Sequence, residues 1–470
     1  MVKGAMTKDT LMQYTMVALF FIAFISYWIF GVESLVVCLI SVGVAIGCDL
    51  LLSMILGSKS PSNMNSAMVF GLIVGLSYSL GMPPGMMFTE EIPTLAGGLE
   101  TYLYPALISA VGMIVFKKLQ GLSGRKYVNP AAVAKLLVLG LLFMPVMSTL
   151  YETSALMPTD HATLIDLKNP MVTDENWRAI YSWKYGGESY PSLDTVPFAA
   201  NLLSCYSNNA TLSYYVTTGD VADPLPAVLD VMLLAKYHGW IGGFSSILVM
   251  AVGIALFATN KKYFKWRITL TFLISTAVFA GVMGVIYGGD IILRMLFHVF
   301  MGSSIFMAFF MATDPATTPI TRKGQIIFGV GLALLTILIQ MYFPFGPQGA
   351  FLGGSILALV IMNLTCPLLD RIGVPKVRKE RISCGRLPKG RDVTEAPTTQ
   401  CMRCGSCLYV CSGRLPTISI KEAADKGDWA RVKKLGVEFC QQCGTCSFVC
   451  PARIDLKAAM RAAKEKVQSM

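Results

Sequence analysis

Charged residues make up only 14% of this 470-residue chain, whereas 54% is hydrophobic and the mean hydropathy is +0.58. Soluble globular chains run at roughly 25% charged. The shortage excludes a secreted enzyme, a coiled coil and a disordered chain. No Gly-x-Gly-x-x-Gly strand–helix turn and no Walker loop occurs, so no complete nicotinamide or ATP site is expected. Segments of about ten residues alternating apolar with polar, the mark of a membrane barrel, are also missing. The scarce charge is uneven. Residues 371–470 hold 20 Lys+Arg and 9 Asp+Glu; the whole chain is net +11, so residues 1–370 are net zero. The chain divides into a long apolar part and a short basic part.

Long apolar runs are plentiful. A helix needs about 20 mostly apolar residues to cross a hydrocarbon core of about 30 Å. Ten such runs lie near 11–30, 34–56, 65–82, 95–116, 130–149, 238–258, 267–287, 291–312, 324–343 and 348–369. The expected fold class is therefore all-α: residues 1–370 form a polytopic membrane helical bundle of about ten spans. The first run, from Leu11, is followed by more of the same kind, so it reads as a span and not as a cleavable signal peptide. Basic residues occupy alternate loops: Lys3 and Lys8; Lys59; Lys117, Lys118, Arg125 and Lys126; Lys261, Lys262, Lys265 and Arg267; Arg322 and Lys323. The other loops carry Glu33, Glu90, Glu91 and Asp290. The positive-inside rule then puts the basic loops and both chain ends in the cytoplasm, with the protein in the cell (inner) membrane. Residues 150–237 become a long, acidic extracytoplasmic loop. Its Trp177, Tyr181, Trp183, Tyr185 and Tyr190 argue that it is ordered.

Eight of the 13 cysteines fall in the tail, as Cys401-x-x-Cys404-x-x-Cys407-x-x-x-Cys411 and Cys440-x-x-Cys443-x-x-Cys446-x-x-x-Cys450-Pro451. Each half has the bacterial-ferredoxin spacing for a [4Fe–4S] cluster, in which the fourth cysteine ligates the other cluster. The tight spacing aims three thiolates at one face of a cuboidal cluster. One cluster is thus assigned to Cys401, Cys404, Cys407 and Cys450, and the second to Cys440, Cys443, Cys446 and Cys411. Disulfides are disfavoured in the cytoplasm, and zinc sites use well-separated pairs. Cys38, Cys48, Cys205, Cys366 and Cys384 read as ordinary small residues. Between the halves, Lys421 to Ala424 and then Trp429, Ala430, Val432 and Leu435 predict helix. Residues 371–399 are a basic linker and 400–470 an α-helical two-cluster ferredoxin-like domain. Its basic surface reads first as a solvated face, and would also suit an acidic electron carrier.

Phe310-Met311-Ala312-Thr313-Asp314-Pro315-Ala316-Thr317-Thr318-Pro319-Ile320-Thr321-Arg322-Lys323-Gly324 resembles the signature of the D subunit of Rnf complexes, and is similar to the B subunit of the sodium-pumping NADH:quinone reductase. Ser66 to Leu72 and Tyr127 to Val133 agree, as do ten spans with a long fifth outer loop. The resemblance covers about residues 10–375. The tail is similar to the two-cluster module of the Rnf C subunit, without that subunit's NADH- and FMN-binding domains. The resemblance implies a membrane oxidoreductase subunit of the translocase type, with electron transfer coupled to Na+ or H+. It implies FMN bound covalently to a Thr in the outer loop, within Ser-Gly-Ala-Thr, and a second, non-covalent flavin (FMN or riboflavin). Here the corresponding stretch is Thr217 to Leu225. Aligned on Ala222 and Pro224-Leu225 the acceptor position holds Asp223; aligned on Thr218-Gly219 it holds Val221. Thr217 and Thr218 stand nearby in another frame and are the candidate flavin-binding residues of this loop, although Asp220 and Asp223 would repel a phosphate.

Asp314, Thr317 and Thr318 are candidate flavin ligands at the cytoplasmic membrane face; the same residue types are at home in a loop at a helix end. Arg294 and His298 share one face of the eighth run, and intramembrane ionisable groups are functional hypotheses by default. Arg294 and Lys135 lie near membrane faces, where long basic side chains snorkel. Three functional readings follow. One is a subunit of an Rnf-like complex with membrane and peripheral partners, among them a ferredoxin or an NADH-oxidising subunit. Another is a non-pumping Fe–S relay and anchor that reduces quinone. The third is a transporter with a regulatory Fe–S tail. No nucleic-acid partner is expected.

Overall fold

The computed structural model describes residues 7–57, 62–78, 100–122, 126–139, 233, 240–259, 261, 263–287, 291–300, 304–342, 354–374, 377 and 401–470. Among them the fold is helical, with no strand. The membrane part comprises α1 (Lys8–Phe30), α2 (Val32–Leu56), α3 (Met64–Leu76), α4 (Glu100–Val111), α5 (Pro130–Leu137), α6 (Ser246–Thr259), α7 (Trp266–Tyr287), α8 (Ile291–Phe300), α9 (Ser304–Phe306), α10 (Arg322–Tyr342) and α11 (Gly354–Leu369). Two π-helical stretches, Gly112–Leu119 and Met307–Met311, continue α4 and α9. Each of the ten apolar runs contains helix. Among the described residues five helices are long and apolar enough to cross a membrane (Lys8–Trp28, Val32–Leu56, Tyr102–Leu119, Trp266–Ile286, Arg322–Ile339), and Met64–Leu76, Ser246–Thr259 and Ser355–Leu369 are shorter apolar helices. The protein is membrane-integral. Thr217, Thr218, Val221 and Asp223 lie outside the described residues, as do all of 150–237 except residue 233, the Arg294 side chain, Cys205, Cys384 and residues 378–399.

Local chemistry explains the helix ends. The Thr7 hydroxyl accepts from Thr10 N at 3.1 Å to start α1. Asn63 caps α3 through Ser66 N, and Asn129 caps α5 through Ala131 N and Ala132 N with Pro130 in the first turn. Inside the apolar helices, hydroxyls turn back on their own carbonyls, as Ser26 does on Ala23 and Thr336 on Leu332. Small residues let α2 and α3 close up: a Cβ at Gly71 would stand 2.6 Å from Val42 Cα. Outward-facing side chains are apolar too, with Trp28 67%, Leu39 67% and Val285 72% exposed. An apolar exterior around an apolar core is what lipid contact requires.

Lys135 departs from the snorkelling expectation. Its side chain is fully buried, donates to the Ser77 carbonyl at the end of α3, and lies 4.1 Å from the Trp240 ring centroid. A backbone carbonyl at the helix end and an aromatic face hold the ammonium inside. His298 is also buried.

The tail carries α12 (Ser406–Val410), α13 (Thr417–Asp425), α14 (Trp429–Lys434), α15 (Thr445–Phe448) and α16 (Leu456–Gln468). Leu415, Ile420, Val432, Val437, Met460 and Ala463 form its own core. The tail packs against one end of the bundle. Lys8 N donates to Pro451 O at 3.0 Å, Met402 enters the bundle core, and Ile320 enters an apolar cluster of the tail with Cys407, Leu408, Ile418 and Leu456.

Candidate functional site

The segment after Met311 is a tightly bonded loop. Asp314 accepts from Ala316 N at 3.1 Å and from the Thr317 hydroxyl at 3.3 Å, and Thr318 Oγ1 donates to Asp314 O at 2.6 Å. The buried Lys265 ammonium donates to Pro315 O and Thr318 O, both at 2.8 Å, and to Thr318 Oγ1 at 3.0 Å. Burial pulls its pKa down to about 8, against the opposing pull of Asp370. Cys366 Sγ donates to Thr317 O at 2.9 Å, and Asn129 Nδ2 reaches Met311 O at 3.1 Å. Thr317 and Thr318 thus spend their hydroxyls inside the loop.

Beneath this loop lies a cavity of about 150 Å3. All three stretches singled out in the sequence meet there: Ser66, Val69 and Phe70; Asn129 to Ala131; and Phe310 with Thr313 to Ala316. Thr317 and Thr318 do not line it. Phe70, Phe264, Phe309 and Phe310 give it aromatic walls, and both π-helical stretches contribute through Lys117, Phe309 and Phe310; such turns are frequent at functional sites. Among the described residues Lys8, Lys117 and Lys126 line it against a single carboxylate, Asp314. Burial lowers the Lys126 pKa, and Asp314 opposes the shift. The tail closes the remaining wall with Cys401, Met402 and Arg403. In sequence the lysines reported only orientation; their convergence required the packed bundle.

The eight tail cysteines line two smaller cavities. Cys401, Cys404, Cys407 and Cys450 surround one, and Cys411, Cys440, Cys443 and Cys446 the other. This is the crossed grouping expected from the spacing. The halves repeat each other at an offset of 39 residues. Positive φ recurs at Arg403 (52°) and Gln442 (55°), at Gly405 and Gly444 (79° each), and at Arg414 (55°) and Arg453 (53°). These turns let each half wrap its three thiols around a cavity. Arg403 N donates to Cys401 Sγ and Leu415 N to Cys411 Sγ, both at 3.4 Å. Burial pushes the Cys401 thiol up to about 11 and the Cys446 thiol to about 12. Thiolates there need a nearby cationic centre, which a coordinated metal supplies. Among the described residues no three His, Cys, Asp or Glu side chains converge on a single-ion position; the thiols stand around cavity walls instead.

The NQR2, RnfD, RnfE family matches residues 1–379. The chain is 32% identical over 202 residues to the D subunit of the Na(+)-translocating ferredoxin:NAD(+) oxidoreductase complex of Acetobacterium woodii, covering 38% of this chain and 58% of that one. It is 35% identical over 153 residues to the D subunit of the proton-translocating complex of Clostridium ljungdahlii, covering 32% and 42%. It thus aligns with about half the length of these two relatives. With the D subunit of the ion-translocating oxidoreductase complex of Aeromonas salmonicida the identity is 27% over 363 residues, covering 74% and 88%. The cysteine motifs lie beyond the matched residues. On the match over residues 1–379, the chain belongs to the NQR2, RnfD, RnfE family.

Proposed function

We propose that this chain is a membrane subunit of an Rnf-like redox complex. It passes electrons between two [4Fe–4S] clusters on the cytoplasmic side and a flavin or partner subunit in the membrane, coupled to Na+ or H+ translocation. Cys401, Cys404, Cys407 and Cys450 hold one cluster, and Cys440, Cys443, Cys446 and Cys411 the second. The observation that carries the reading is the crossed lining of the two small cavities, with Cys401 also in the wall of the large one. Thiols spread around a cavity suit a cuboidal cluster better than a single ion. When bound, the clusters supply one-electron transfer.

The chain's own residues do the rest. Backbone N–H groups bond sulfurs of both halves, and the exchange of Met402 and Ile320 fixes the first cysteine loop against the bundle. Asp314 and the three lysines line the large cavity, the candidate flavin site, with an excess of positive charge. The division at 370 and 400, ten spans, and cytoplasmic ends in an inner membrane belong to the same reading. Its support is that Lys8, Lys126, Lys265 and Arg322, from separate basic segments, all lie at the end that carries the tail. Other subunits would supply ferredoxin or NADH chemistry, as the relatives' names suggest.

A second reading, a non-pumping relay to quinone, is favoured by the missing Thr at the acceptor position. The test is anaerobic purification from native membranes, with iron, sulfide and flavin assays and in-gel flavin fluorescence. Iron near about eight per chain with flavin supports the first reading; iron without flavin moves the case to the quinone relay. A chain without iron overturns both.

A further inference from the structure

The two cysteine halves share a backbone yet carry different side chains, and one difference stands out. The residue before the second cysteine, in the left-handed conformation, is Arg403 in one half and Gln442 in the other. Arg403 is 4% exposed. Its Nη2 lies 2.7 Å from Asp370 Oδ2, just past the end of α11, and its Nη1 bonds Glu422 on α13. The other oxygen of Asp370 accepts from Ile320 N at 2.8 Å, so the same carboxylate holds the signature loop. Arg403 N bonds Cys401 Sγ, its Nε is buried with no partner among the described residues, and its side chain lines the large cavity. One residue therefore touches the last membrane helix, the tail helix α13, the first cysteine loop and the cavity wall. Gln442 likewise bonds its cysteine, Cys440, through the backbone and lines that half's cavity, but among the described residues no ion pair is seen at it.

We propose that Arg403 is a positioning residue that seats the first cysteine loop on the end of α11 and sets the reduction potential of the cluster held by Cys401, Cys404, Cys407 and Cys450. This rests on the reading that the cysteines hold clusters. A guanidinium stays charged at every working pH. Reducing a cluster adds one electron to a group that is already net negative, with no bond made or broken, and a fixed cation beside it stabilises the reduced form. Without Arg403, the buried carboxylate of Asp370 and the half-buried one of Glu422 face that loop without their counter-charge. Both effects make that cluster harder to reduce. The second cluster has no such group at the equivalent place and keeps its potential. Removing the charge of Asp370 instead leaves Arg403 less neutralised and shifts the same cluster the other way.

The test is a redox titration of the full chain, purified anaerobically, in which the two clusters are followed by electron paramagnetic resonance. R403Q, which copies the sequence of the second half, moves one of the two midpoints to a more negative value and leaves the other in place. R403K keeps the charge and restores most of the midpoint, but loses the two-pronged bridge. Hydrogen exchange over residues 401–410 therefore rises in R403K although its potential recovers. D370N moves the same midpoint to a more positive value and serves if R403Q loses iron. Equal shifts of both midpoints, or neither moving in a variant with full iron, overturn the assignment of Arg403 alone. A wild-type chain without clusters overturns the cluster reading, and this one with it.

Discussion

The two halves of the tail present the same backbone to different surroundings. Positive-φ residues recur at three equivalent positions, and a short helix carries the third thiol of each half. The first half is built into the bundle. Tyr409 donates to Ile320 O at 2.9 Å and stacks under Arg322, Met402 is in the bundle core, and Arg403 bonds Asp370. At the equivalent positions the second half has Phe448, Gln441 and Gln442. It packs against α16, where Lys464 Nζ donates to Cys440 O at 3.0 Å and Asp455 caps the helix. Repetition specifies the wrapping of thiols, whereas the departures from repetition specify which half meets the membrane.

The largest expected effect breaks the comparison at its crossing. Cys450→Ser, although written in the second motif, should abolish the cluster of the first, and iron should fall from about eight to about four per chain. The signal that survives should be the one R403Q leaves unmoved; survival of the other would uncross the assignment. Cys411→Ser should give the mirror result.

Three smaller changes sharpen the contrast. Lys265→Met removes the donor to Pro315 and Thr318 and should lower stability by about 1–3 kcal/mol, read as thermal unfolding in detergent. No change would mean that the loop is held by its own hydroxyls. Tyr409→Phe makes the first half like the second and removes the hydroxyl that bonds Ile320 O and Arg322, so docking should weaken by about 0.5–1.5 kcal/mol for each bond lost. Hydrogen exchange at α12 measures this, while α15 should stay protected. Asp455→Ala removes the cap of α16 and should cost about 1 kcal/mol, seen in the second half alone.

Much was legible in the sequence. Apolar runs located the membrane helices because the bilayer imposes length and hydrophobicity on every span. Cysteine spacing gave the crossed grouping because a short turn can aim only three thiols at one cavity. The basic loops were read for their sidedness alone. That Lys8, Lys117 and Lys126 also line one cavity depends on the packing of α1, α3 and α5 with the π-helical stretch after α4. Thr317 and Thr318 looked like ligands by type, but their hydroxyls are spent inside the loop, as only three-dimensional bonding can tell. Lys135 looked peripheral by its position in the run, whereas Ser77 and Trp240, distant in sequence, bury it.

The sequence by itself determined the all-helical membrane part, the family to which it belongs and the two cysteine motifs of equal spacing. Each follows from local rules: hydrophobic length, motif identity and the reach of a short turn. Only the tertiary structure decided that the first cysteine loop, and not the second, closes the cavity beneath the signature segment. That choice rests on contacts between segments far apart in the chain, Arg403 with Asp370, Tyr409 with Ile320 and Lys8 with Pro451. No local pattern encodes such pairs; they exist only once the helices that carry them are packed.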